Sequence, residues 1–202
     1  MKNIRMSSFV LCASMALVPA AMLAQPSGTS AGAGQSTDST AMSSAKSGSN
    51  GFSMADKHFL KTAAQGGMAE VKLGQLAADK GGTEAVKDFG NKMVQDHTKL
   101  NDAMMPFIQQ AGLSAPTKLS AKDQALYDRL NKLSGAAFDS AYTSAMMKDH
   151  SMDKAEFKKE MASTKNTQLR DAVKQGEQTI DEHLEMVHKL ASTHDKSDQP
   201  SS

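Results

Sequence analysis

Three stretches of the chain repeat one small motif: QDH at 95–97, KDH at 148–150 and DEH at 181–183 each set an acidic residue directly before a histidine. Met93, Met146 and Met186 lie about one helical turn from His97, His150 and His183. A neutral imidazole is a common metal ligand and titrates near neutral pH. Three brought together could hold a transition-metal ion. A fourth group comes from Glu70, on a seam otherwise built from Leu60, Ala63, Gly67, Gly74 and Ala77. An isolated buried carboxylate is costly, so Glu70 needs a partner, and its small neighbours would let another helix come close enough to supply one.

The spacing offers two ways to complete the set. AEVK at 69–72 and QDHTKL at 95–100 are echoed by AEFK at 155–158 and DEHLEM at 181–186, and Glu70–His97 and Glu156–His183 both span 27 positions. The echo suggests two hairpins descended from one, and it nominates Glu156. Helix geometry nominates His150 instead. At ~1.5 Å per residue, Glu70 and His97 differ in height by ~6 Å and His150 and His183 by ~4.5 Å, whereas Glu156 stands ~13 Å from the level of His183. Glu70, His97, His150 and His183 together suit one zinc, iron or copper ion, with Glu156 as the alternative ligand. Asp96, Asp149 and Glu182 point about 100° around the helix from their histidines. They would support the ligands from behind or pair with other helices. The methionines either bring soft donors that favour copper or fill the core. The histidines have a plain alternative too, as core-edge rings bonded to carboxylates that fix helix register and bind nothing. His58, His188 and His194 fall outside the pattern and read as solvated. No serine or cysteine nucleophile sits beside a histidine, and AQGGMAE at 64–70 lacks the lysine of a phosphate loop.

These residues need helices to carry them. Ser53 with Asp56 three places on reads as a capping box for a helix over about 54–80, stopped by Gly81 and Gly82. Thr83 opens a second helix that runs to Ala111 and stops at Gly112, with a bend expected near Pro106. Its seam through Val86, Gly90, Met93, Leu100 and Met104 is apolar except for His97. Ser120 and Asp123 start a short helix over about 121–133, and long helices follow over about 136–163 and 167–192. Nothing alternates like a strand. The expected fold is all-α, an antiparallel four-helix bundle with a short crossover helix between its second and third long helices.

Residues 1–24 place Lys2 and Arg5 before an apolar run from about Met6 to Leu23 that ends among small residues, the layout of a cleaved secretory signal peptide. Cleavage is expected after Ala24 or near Ala20, with retention as an N-terminal anchor the alternative. Cys12, the one cysteine, lies in this segment, so the mature chain would have no disulfide. Residues 25–51 are almost all Ser, Gly, Ala and Thr, a disordered linker. Residues 52–192 form one helical domain and 193–202 a disordered tail. The chain carries 23 basic and 22 acidic residues, and losing Lys2 and Arg5 leaves 21 basic ones. That balance argues against a nucleic-acid partner. No stable membrane span would remain after cleavage, and the expected location is the periplasm or cell envelope.

FLKTAAQGGMAEVKLGQLA at 59–77, VKDFGNKMVQDHTKLN at 86–101, LSGAAFDSAYTSAMMKDH at 133–150 and HLEMVHKL at 183–190 resemble an exported bacterial family, domain of unknown function 4142. The resemblance implies a ferritin-like helical bundle and an exported location, without an activity. Carboxylate-bridged di-iron bundles use Glu-x-x-His on two helices, but Val94 and Ile180 stand three residues before His97 and His183. Ordinary di-iron chemistry is therefore not expected. The leading expectation is an exported, non-enzymatic binding or stress-associated accessory protein holding one metal ion. A metal-free structural or protein-interaction module is the alternative, and a mononuclear redox enzyme a third class. Protein partners are not legible.

Overall fold

The computed structural model describes residues 51–197, with side chains to residue 192, and every regular element in it is a helix. The signal peptide expected over 1–24, almost all of the linker over 25–51 and the last residues of the tail lie outside the described residues. The helices are α1 (Met54–Lys80), α2 (Glu84–Gln110), α3 (Ala121–Asn131), α4 (Gly135–Ser163) and α5 (Thr167–Ser197). Their starts follow the expected caps. Ser53 Oγ accepts from the Asp56 backbone N–H at 3.0 Å while Asp56 Oδ2 accepts from the Ser53 N–H at 2.7 Å. At the starts of α2 and α3, Thr83 Oγ1 and Ser120 Oγ accept from the Val86 and Asp123 N–H groups.

The ends differ more from expectation. Gly112 stops α2 with φ +72°, a left-handed conformation that only glycine adopts cheaply. Gly81, by contrast, ends α1 at φ −50° and ψ 133°. The second glycine there has a packing reason: a Cβ on Gly82 would stand 2.6 Å from the Gly135 backbone. Helix α5 continues to Ser197, beyond the expected stop at 192. The sequence after Leu190 contains neither glycine nor proline before Pro200 to break it.

Helix α1 packs mainly on α2 and α4 mainly on α5, with further contacts of α2 to α5 and α1 to α4; α3 touches α1 and α4. Buried apolar residues form two clusters. One gathers around Leu73, Phe89, Met93, Tyr142, Met146 and Val187, the other around Leu60, Met104, Phe157, Leu169, Val173 and Ile180. On each long helix one buried polar residue sits at the boundary between these clusters. Glu70 lies between Leu60 and Leu73, His97 between Met93 and Met104, His150 between Met146 and Phe157, and His183 between Ile180 and Val187. The fold thus sets one polar layer between two apolar ones. Among the described residues, no helix is long and apolar enough to cross a membrane.

Candidate metal centre

Each member of the polar layer comes from a different long helix. Glu70 is 3% exposed, His97 1%, and His150 and His183 0%. Burial of this kind requires partners, and every ring nitrogen has a polar atom within 3.2 Å, although His97 Nδ1 forms no hydrogen bond. His183 Nδ1 lies 3.2 Å from His97 Nε2 and 3.2 Å from His150 Nε2. On the far sides of the rings, His183 Nε2 stands 3.1 Å from Asp96 Oδ2, His150 Nδ1 3.1 Å from the Met146 carbonyl, and His97 Nδ1 2.9 Å from Glu70 Oε2. Glu70 Oε1 is 3.6 Å from His150 Nε2 and has no hydrogen-bond partner.

The outer partners decide where the protons sit. A carbonyl oxygen only accepts, so His150 Nδ1 carries the N–H. The Asp96 carboxylate also accepts, so His183 Nε2 carries that ring's proton. In the neutral rings, His150 Nε2 and His183 Nδ1 are then bare lone pairs facing each other at 3.2 Å. His97 completes the triangle. Its Nδ1 faces Glu70, although without the alignment of a hydrogen bond, and its Nε2 faces inward. Carboxylate or carbonyl behind, lone pair in front, is how metal-binding histidines are oriented. Metal–nitrogen bonds of about 2.0–2.1 Å in a tetrahedron imply donor separations of ~3.3–3.4 Å. The residues fit a metal ion. They would supply three imidazole donors, with Glu70 beside them.

Electrostatics agree at two of the three rings. Burial holds the His150 pKa down at about 4, with His97 and His183 adding to the effect against Glu70. His183 is lowered by burial and then by His97. His97 is raised, because the Glu70 carboxylate outweighs the burial that opposes its charged form. Burial would raise Glu70 as well, but the positive field and hydrogen bonding of His97, followed by His150, bring it below its ordinary value. Any metal at this centre displaces the His97 proton.

A second group lies against the first. Glu70, Asp149 and Asp153 bring carboxylate oxygens within 4.8 Å of one another, as the three histidines do with ring nitrogens. Asp149 is pushed up to about 6, by burial and then by Glu70. Asp153 is raised further, by burial, by the charges of Glu70 and Asp149, and by its hydrogen bond to Glu70. A cavity of about 120 Å³ runs to Glu70, His97 and Asp153 from a half-buried wall at Gly66, Met105 and Pro116.

The residues singled out from the sequence therefore separate. Glu70, His97, His150 and His183 come together, and Asp96 supports His183. Asp149 joins the carboxylates instead of backing a histidine. Glu182 is exposed, and Glu156 is exposed beside Lys159 at 3.7 Å. Glu156 is no ligand here, because the turn between α4 and α5 leaves it off the level of His183. Met93 and Met146 are fully buried in an apolar cluster and Met186 packs against it, which makes them core. His58 and His188 are exposed, and the His194 side chain lies outside the described residues.

Two residues escaped the sequence reading. Asp153 lies three positions after His150 and four after Asp149, a same-face spacing that could have signalled it. Asp139 is fully buried and accepts from the Gly82 N–H at 2.7 Å, the Thr83 N–H at 2.9 Å and Thr83 Oγ1 at 2.9 Å, tying the start of α2 to α4. Nothing in the local sequence marks that contact. No curated protein and no solved structure matches the chain. A family model does match, over residues 41–190, and covers the whole of the polar layer. The chain belongs to the family described as Domain of unknown function (DUF4142).

Proposed function

We propose that this chain is a ferritin-like, antiparallel four-helix bundle, with α3 as its crossover, that binds one transition-metal ion through His97, His150 and His183. Glu70 orients His97 and stands within reach of the ion. One observation carries this reading: the two inward nitrogens whose tautomers are fixed from behind, His150 Nε2 and His183 Nδ1, face each other at 3.2 Å with no proton to share. A cation between them and His97 Nε2 removes that conflict. Three imidazoles suit zinc, copper or iron. The reading is of binding, since the centre offers donors for a cation and no nucleophile. Export to the periplasm or cell envelope, as an accessory protein, belongs to the same proposal and rests on the leader-like residues 1–24.

Calorimetric titration at pH 7 tests the site. The wild type takes up one equivalent of zinc or copper, His97→Ala, His150→Ala and His183→Ala each lose it, and His188→Ala keeps it. A wild type that takes up no stoichiometric zinc, copper or iron in oxidising or reducing buffer leaves the metal-free structural reading. In that case one proton between His97 Nε2 and His183 Nδ1, 3.2 Å apart, would serve to pair α2 with α5.

A further inference from the structure

Glu70, Asp149 and Asp153 pose a separate problem. They come from α1 and α4, and their oxygens lie within 4.8 Å of one another. Asp149 and Asp153 are half-buried and Glu70 is fully buried, so the three cannot all carry full charge without a cation or a proton among them. The cations acting on the two aspartates include His97 for Asp149 and exposed Lys122 on α3 for both. Glu70 Oε1 is the sign of a missing group: it is buried, no N–H reaches it, and the contact of Glu70 with Asp153 needs a proton between two acids, a place that a cation can take. The cavity ends on Glu70 and Asp153, which gives a path from the half-buried wall and room for water ligands.

We infer that Glu70, Asp149 and Asp153 form a second cation site, for a hard divalent ion of the magnesium or manganese type, next to the histidine centre and sharing Glu70 with it. The donor chemistry separates the two sites. Three carboxylates with water completing the shell suit magnesium, manganese or calcium, while imidazoles suit zinc, copper or iron. Asp149 and Asp153 project four residues apart on one face of α4, and Glu70 meets them from α1, so closure of the site joins α1 to α4. The shared carboxylate would let each ion neutralise part of the field felt by the other. The inference stands on the carboxylates and does not require the histidine centre to be filled.

The test titrates manganese(II) into the full mature chain, with and without one equivalent of zinc, and follows the free manganese signal by electron paramagnetic resonance. The wild type should remove one equivalent of manganese in both cases. Asp153→Asn and Asp149→Asn should lose that uptake and retain zinc, whereas His183→Ala should lose zinc and retain manganese. Asparagine has nearly the shape of the protonated Asp153 carboxyl and can still donate to Glu70, so metal-free Asp153→Asn should melt close to wild type, and loss of manganese is then not loss of fold. If Asp153→Asn does not fold, Asp149→Asn alone decides. A wild type without stoichiometric manganese uptake, or aspartate variants that bind it as wild type does, overturns the second site. Zinc lost from every protein while manganese persists would overturn the histidine reading and leave this one standing.

Discussion

In the hairpin of α1 and α2, Glu70 lies 2.9 Å from His97. In the hairpin of α4 and α5, Glu156 stands the same 27 positions before His183, yet it is exposed and turned to Lys159. The turns account for the difference. Glu70 is 11 residues before Gly81 and His97 is 14 after Thr83, an offset of three residues. Glu156 is only eight before Thr164 while His183 is 17 after Asn166, an offset of nine, or ~13 Å of helix rise. His150, 14 before Thr164, restores the offset of three. His150 is thus the structural counterpart of Glu70, although the local sequence echo points to Glu156. Equal intervals along a chain do not make equal contacts when the turn falls elsewhere within them.

The hairpins also close differently, and this gives the largest expected effect. A Cβ on Gly90 would stand 2.6 Å from the Ala78 nitrogen and 2.7 Å from the Gly74 oxygen, both backbone, while one on Gly176 would meet the Phe157 ring at 2.5 Å. Backbone cannot step aside and a ring can. Gly90→Ala should cost about 1–3 kcal/mol by overpacking, with Gly176→Ala losing less. Gly66→Ala, with nothing within 4 Å, should gain up to ~1 kcal/mol from helix propensity. Urea denaturation of the three variants measures the order. Equal losses at Gly90 and Gly66 would remove the close helix contact from the account.

The second effect concerns the two glutamates. Glu70→Gln should weaken zinc binding by about 10–100-fold, the usual loss when a group that orients a ligand is removed. Glu156→Gln should leave it unchanged. Competition with a zinc-sensitive dye reads both, and a larger loss at Glu156 would restore the sequence echo as the guide to the site.

The smallest effect lies where Glu160, beside the α4–α5 turn, meets Asp56 at the start of α1. Burial, then the hydrogen bond and charge of Asp56, push Glu160 up to about 7 from 4.5. A carboxyl raised on folding stabilises the protein fully below its unfolded value and loses that contribution as pH rises through the folded one. Melting temperature should therefore fall between pH 5 and pH 8 by more in wild type than in Glu160→Gln. Parallel profiles would show that the pair does not titrate in that window. Asp56, lowered through its hydrogen bonds to Ser53, Glu160 and Thr164 against the effect of burial, acts at more acidic pH.

Much of this architecture was legible because helical signals are local. The capping pairs Ser53/Asp56 and Ser120/Asp123 predicted two helix starts, and the seam through Met93, His97 and Met104 placed a histidine in the core before any neighbour was known. Glu70 among small residues announced a buried charge with a partner. Counting residues from the turns, rather than matching motifs, picked out His150. What stayed hidden depends on contacts between distant parts of the chain. Asp139 reads as an ordinary helix residue until Gly82 and Thr83 arrive at its carboxylate. Asp153 looks like a solvated acid until α1 brings Glu70 beside it. Glu182 and Asp149 each adjoin a histidine in sequence, but one faces solvent and the other a carboxylate cluster. Adjacency fixes an angle around one helix and not what the next helix presents.

Convergence of the three imidazoles on one ion can be read by X-ray absorption at the zinc edge of the protein loaded with one equivalent. Three imidazole nitrogens should appear at about 2.0–2.1 Å, visible through the multiple scattering of their rings, with oxygen completing the shell. In His183→Ala the imidazole count should drop. A wild-type spectrum dominated by oxygen, with one imidazole or none, would contradict that convergence and reduce the polar layer to a device for pairing helices.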